Sequence, residues 1–108
     1  MAAINVIPSA PLISLSGEID LSNAASIFAE LEPWIDSGGP IGLDFSGVTF
    51  MDSSGVQMLL HAASALGTRG CIIVHGVHDA VAIVLRLTNA REVPNIHVIE
   101  CTILADAV

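Results

Sequence analysis

Leu43-Asp44-Phe45-Ser46-Gly47-Val48-Thr49-Phe50-Met51-Asp52-Ser53-Ser54-Gly55-Val56 is the stretch that decides how the rest of the chain is read. An apolar, strand-like run enters a Ser46-Gly47 corner and then reaches the polar tetrad Asp52-Ser53-Ser54-Gly55. Beyond the tetrad, Val56, Leu59, Leu60, Ala63 and Leu66 recur at helical spacing. Asp52 and Ser53 are good N-cap residues, so a helix is expected to open there, run to about Leu66 and stop at Gly67. Unpaired backbone N–H groups and the positive end of the helix dipole meet at such an opening. A serine hydroxyl held there is well placed to carry a phosphate.

Toward the N-terminus, Leu12 to Asp20 reads as a strand, with Gly17 marking a turn or bulge. Residues 1–10 read as an arm or a short edge strand. Asp20 or Ser22 is expected to cap a first helix whose inner face is Ile27, Phe28, Leu31 and Ile35. Pro33 predicts a kink in that helix, or a stop at Glu32 followed by a turn through Trp34. Gly38-Gly39-Pro40 breaks the chain, and Ile41 to Phe45 forms a short buried strand before the tetrad.

Toward the C-terminus, the unbroken run Cys71-Ile72-Ile73-Val74-His75 predicts a strand buried on both faces. Gly76 to Asp79 turns the chain, with Asp79 as the cap of a third helix packed through Ala80, Ile83, Val84 and Leu87. Thr88-Asn89 ends that helix, Asn89 being able to take the left-handed conformation. Ile96 to Ile99 is a final strand, and Thr102 to Val108 a short last helix at most. Strands alternating with helices predict an α/β domain: a small, mostly parallel sheet covered by helices through right-handed crossovers.

The 108 residues make one domain, 1–108, with enough chain for a real core. Hydrophobic residues make up 53% of it but aromatics only 4%, so the core must be aliphatic. Gly, His and Asp interrupt every apolar run before it reaches membrane-span length, and residues 1–11 lack the pattern of a signal peptide. A cytoplasmic location is the expectation. The net charge is −8, with Arg69, Arg86 and Arg91 as the only Lys or Arg residues. Such a surface repels nucleic-acid phosphates and anionic lipid headgroups. It suits a basic protein partner, or serves solubility. Cys71 and Cys101 are too few for a zinc site and read as buried thiols. A regulatory disulfide between them would need Cα atoms within about 7 Å.

Enzyme chemistry finds little footing. Asp52-Ser53-Ser54-Gly55 lacks the Gly-x-Ser-x-Gly of a nucleophile elbow. His61 follows Ser53 by two helical turns, about 12 Å along the axis, too far to act as its base. His75 and His97 fall in strands, leaving only His78 in a loop, and His75-Gly76-Val77-His78 is a poor metal signature. No P-loop is present, and Gly67-Thr68-Arg69-Gly70 is a weak phosphate candidate. No catalytic residue, metal or cofactor is expected.

Phe45-Ser46-Gly47-Val48-Thr49-Phe50-Met51-Asp52-Ser53-Ser54-Gly55 resembles the corresponding stretch of STAS domains, in particular the bacterial anti-sigma factor antagonists. Gly17-Glu18-Ile19-Asp20 resembles the segment before that family's first helix. The likeness runs from Leu12 to the C-terminus and is loosest after Asn89; Val56-Gln57 stands where the family usually has Leu-Gly. It implies a small α/β domain with helices mainly on one face of the sheet. It also implies that Ser53, matching the family's phosphoacceptor, is phosphorylated, with Ser54 as the adjacent hydroxyl. The implied partner is an anti-sigma factor and serine kinase of the kinase-like ATP-binding fold. Unphosphorylated protein would bind it and free a sigma factor; phosphorylation would end the complex. The contact surface would comprise Asp20, Asp52, Ser53, Ser54, Gly55, Gln57 and His61. A second reading is a STAS subunit of a lipid-transport or sensory-scaffold complex, with the tetrad as a static docking corner.

Overall fold

The computed structural model describes residues 11–100. Within them the order is β1 (Leu12–Ile19), α1 (Ala24–Ser37), β2 (Gly39–Met51), α2 (Ser53–Leu66), β3 (Gly70–Val77), α3 (Asp79–Leu87) and β4 (Ile96–Glu100). Short 3-10 turns follow α2 and α3, at Gly67–Arg69 and Asn89–Glu92. Among the described residues the strands form one sheet in the order β1-β2-β3-β4, every neighbouring pair parallel. Each step goes to the next strand in chain order. Right-handed crossovers of that kind place the connecting helices on the same face.

Alternation along the strands shows which face that is. Ile41, Leu43 and Phe45 of β2, and Ile72 and Val74 of β3, are buried together with Leu31, Ile35, Leu59, Leu66 and Leu85 from the helices. The intervening residues, such as Asp44, Ile73 and His75, are only half-buried. The core is aliphatic apart from Phe45, as the composition requires. Among the described residues no polar or charged side chain is buried.

Several local expectations are corrected. Helix α1 does not stop at Glu32 but continues through Pro33 to Ser37. Proline removes the hydrogen bond to the Ala29 carbonyl. Ala29 and Pro33 both lie on the exposed side, where water can serve that carbonyl. Ile35, buried beyond the proline, holds the last turn on the sheet. Neither Asp20 nor Ser22 caps α1: the N-cap is Asn23, without a side-chain cap bond. Strand β2 does not end at Phe45 but passes through Ser46-Gly47 to Met51. Its pairing with β1 shifts register between Ser14 and Ser16 and again between Gly17 and Glu18. The irregularity absorbs the corner without ending the strand. At that corner the Ser46 N–H donates to Asp44 Oδ1 at 2.9 Å.

Helix α3 is turned over relative to expectation. Val81, Ala82 and Leu85 are buried, while Ala80, Ile83 and Leu87 are exposed and Val84 is half-buried. Its N-cap is His78; Asp79 is the first helical residue, with φ +52. Asn89 has no positive φ and begins the 3-10 turn. The proposed last helix, the N-terminal arm and Cys101 lie outside the described residues; Cys71 is a half-buried free thiol. No helix among the described residues is long and apolar enough to cross a membrane.

Candidate functional site

The C-terminal edge of the sheet gathers the residues singled out by sequence. Ile19 and Met51 are register partners at the ends of β1 and β2. The next residue, Asp52, donates its N–H to the Ile19 carbonyl at 3.1 Å. That bond brings the β1–α1 turn, with Asp20, against the tetrad.

Asp52 is the N-cap of α2, in extended conformation, and its Oδ1 accepts from the Ser54 N–H at 2.8 Å. A carboxylate at this point satisfies one otherwise unpaired N–H and faces the positive end of the dipole. Ser53 is the first helical residue and is exposed; Ser54 is half-buried. The expectation that the tetrad opens a helix, with Ser53 at its mouth, matches this geometry.

Gly55 departs from the expected contact surface. It is buried, and a Cβ there would fall 2.7 Å from Met51 Sδ and 3.0 Å from Ile19 Cγ2, and closer still to Met51 Cγ. Packing between α2 and the two strand ends leaves no room for a side chain there unless Met51 shifts. One and two turns after Ser53, Gln57 and His61 are exposed on the outer side of α2, as expected. His61 is stacked flat on Phe28 of α1, ring centroids 4.4 Å apart and planes 8° from parallel. Between the two helices lies an open groove of about 480 Å3, lined by Ala24, Ala25 and Phe28 of α1 and by Ser54, Gln57, Met58 and His61 of α2.

The turn before α1 is fixed by its own polar side chains. Asp20 Oδ1 accepts from both the N–H and the hydroxyl of Ser22. Asn23 Oδ1 accepts from the Asp20 N–H at 2.9 Å, and Asn23 Nδ2 donates to the Glu18 carbonyl at 2.8 Å. The hydroxyl and N–H of Ser22 hold the Asp20 carboxyl below the ordinary aspartate range. At the apex stands Leu21, 82% exposed, a residue the sequence pattern had not marked. Periodicity singles out apolar residues inside elements; an apolar residue in a turn carries no such signal.

No cluster of His, Cys, Asp or Glu among the described residues is arranged to hold a metal ion. His78, the loop histidine, lies toward the β2 corner: its ring nitrogens meet the Ser46 carbonyl at 3.0 Å and Asp79 Oδ2 at 2.9 Å.

Three solved structures share this architecture. A candidate anti-sigma factor antagonist from Thermotoga maritima is 17% identical, with a TM-score of 0.77 over 95% of this chain and 89% of its own. The anti-sigma factor antagonist SpoIIAA, in its unphosphorylated form, is 22% identical, with a TM-score of 0.65 over 95% and 91%. An anti-sigma factor antagonist from Mycobacterium paratuberculosis is 21% identical, with a TM-score of 0.71 over 97% and 87%. At these identities the likeness establishes the fold. Compared by sequence with curated proteins, the chain has no match. The family described as "Mlab, STAS domain" matches residues 3–99, nearly the whole chain, and the protein therefore belongs to the STAS domain family.

Proposed function

We propose that this protein is a non-enzymatic anti-sigma factor antagonist that works by partner switching. Unphosphorylated, it binds an anti-sigma factor of the kinase-like ATP-binding fold in the cytoplasm and releases a sigma factor. Transfer of a phosphate to Ser53 by that kinase dissociates the complex. The observation that carries the reading is an exposed Ser53 on the first turn of α2, beside a capping Asp52 whose N–H is bonded to the Ile19 carbonyl, one residue before Asp20. The three similar structures are anti-sigma factor antagonists, which supports the antagonist part of this reading.

The electrostatics are large enough. A phosphoserine brings roughly −1.5 to −2 charges to a corner that already carries Asp52. Against a partner carboxylate at about 5 Å, with an effective dielectric near 20, each unit of charge costs roughly 3 kcal/mol. Inverting a binding equilibrium from 99:1 to 1:99 takes about 5.5 kcal/mol. A single phosphate reaches that magnitude.

The test uses the purified protein with each anti-sigma factor of this fold encoded in the source genome, plus ATP. The expected result is a mass gain of one phosphate, lost in Ser53→Ala and kept in Ser54→Ala. Ser53→Ala should bind the partner constitutively and Ser53→Glu poorly. No phosphate uptake, together with equal affinities for both variants, would sink the switch and favour a static docking corner in a larger assembly.

A further inference from the structure

We propose that Leu21 is the apolar anchor of the docking surface, entering a hydrophobic pocket on the partner whose rim is basic where it faces Asp20; this rests on the function proposed above. A lone leucine in water is ordinary on any surface. Leu21 differs in how it is held and where.

The residues on either side of it are tied down. Asp20 accepts from Ser22 through its carboxylate, and its carbonyl accepts from the N–H groups of Asn23 and Ala24 at 3.1 and 2.9 Å. Asn23 closes the turn in the other direction, onto the Asp20 N–H and the Glu18 carbonyl. These polar contacts surround a side chain that is 82% exposed and takes no part in the core. A fixed turn lowers the ordering cost when a partner covers its apex. The core gains nothing from the leucine itself.

Location supplies the second argument. The Asp52–Ile19 backbone bond sets this turn beside the mouth of α2, so Leu21 and Ser53 belong to the same edge of the molecule. The groove between α1 and α2 begins at the same corner, with Ala24, Ala25 and Ser54 in its lining. Charge supplies the third. The leucine follows the Asp20 carboxylate in a chain of net charge −8 without a lysine. A complementary surface therefore combines an apolar pocket with cationic side chains.

The test is calorimetric titration of wild type, Leu21→Ala, Leu21→Met and Leu21→Asp against the same purified anti-sigma factors, with melting temperatures measured alongside. The expected pattern is about ten- to fiftyfold weaker binding for Leu21→Ala and near wild-type binding for Leu21→Met. Binding by Leu21→Asp should be lost, with all four melting alike. Unchanged affinity in Leu21→Ala would overturn the anchor and leave the proposed function standing. Absence of wild-type binding to every such partner would overturn both. Sedimentation of the protein alone covers the remaining occupant. Self-association abolished by Leu21→Ala would assign the leucine to a second copy of this chain and overturn the proposal.

Discussion

Met51 fills the space beside Gly55: a Cβ on the glycine would lie 2.7 Å from Met51 Sδ and 3.0 Å from Ile19 Cγ2. This contact seats the first turn of α2 on the ends of β1 and β2, and so sets the height at which Ser53 is presented. Gly55→Ala gains about 1 kcal/mol of helix propensity, but overpacking of this kind costs about 1–3 kcal/mol. We expect a net loss of about 1 kcal/mol, read as a lower urea midpoint with an unchanged slope. The companion variant Met51→Ala with Gly55→Ala should relieve the clash, so its loss should fall short of the two single losses combined. Simple additivity would contradict the packing role.

Leu85 and Leu87 are neighbours on α3 with opposite fates. Leu85 is fully buried and Leu87 is 81% exposed. Leu85→Ala should therefore cost about 2–5 kcal/mol, and Leu87→Ala within about 0.5 kcal/mol of nothing. Denaturant unfolding of both variants decides it. Equal losses would mean that α3 is rotated from the orientation described.

His78 links the start of α3 to the β2 corner. Both its partners, Asp79 Oδ2 and the Ser46 carbonyl, are acceptors. A neutral imidazole donates through one nitrogen only, so both contacts are hydrogen bonds only in the imidazolium form. The Asp79 bond first, and the Ser46 carbonyl second, raise the His78 pKa above its ordinary value. A raised folded pKa gives a contribution fully present below the unfolded value of about 6.5 and lost as pH rises through the folded one. The melting temperature of wild type relative to His78→Gln should thus be greatest in mild acid and shrink above neutrality. A difference independent of pH between 5 and 9 would rule this out.

Asn95 ties three segments together at the opposite edge of the sheet. Its Nδ2 donates to the carbonyls of Ala63, Gly67 and Gly70 at 2.9, 3.2 and 3.3 Å. Asn95→Ala leaves these acceptors without that donor and should cost about 1–2 kcal/mol. Asn95→Asp should be worse, because a carboxylate would then face three carbonyl oxygens. Thermal unfolding of the pair tests it, and an aspartate variant more stable than the alanine one would refute the assignment.

Much of this protein was legible in one dimension because the signals are local. Apolar spacing, the Asp52 cap and the Gly67 stop define α2, and the order of strands and helices follows from similar cues. The exposed hydroxyl at the mouth of α2 was readable for the same reason: capping involves residues two or three apart.

What the tertiary structure alone decided involves choices between locally equivalent options. Helix α3 is apolar on two sides, and periodicity cannot say whether Val81 and Leu85 or Ile83 and Leu87 face the sheet. Whether Ser46-Gly47 ends β2 or merely bends it depends on pairing with β1, more than thirty residues away in sequence. Gly55 reads equally well as room for a partner or room for Met51 until both strand ends are in place. That the turn after β1, with Asp20 and Leu21, and the opening of α2 share one end of the sheet follows from the parallel register of β1 and β2. Hydrogen bonds between distant strands set that register, and no short-range pattern encodes it.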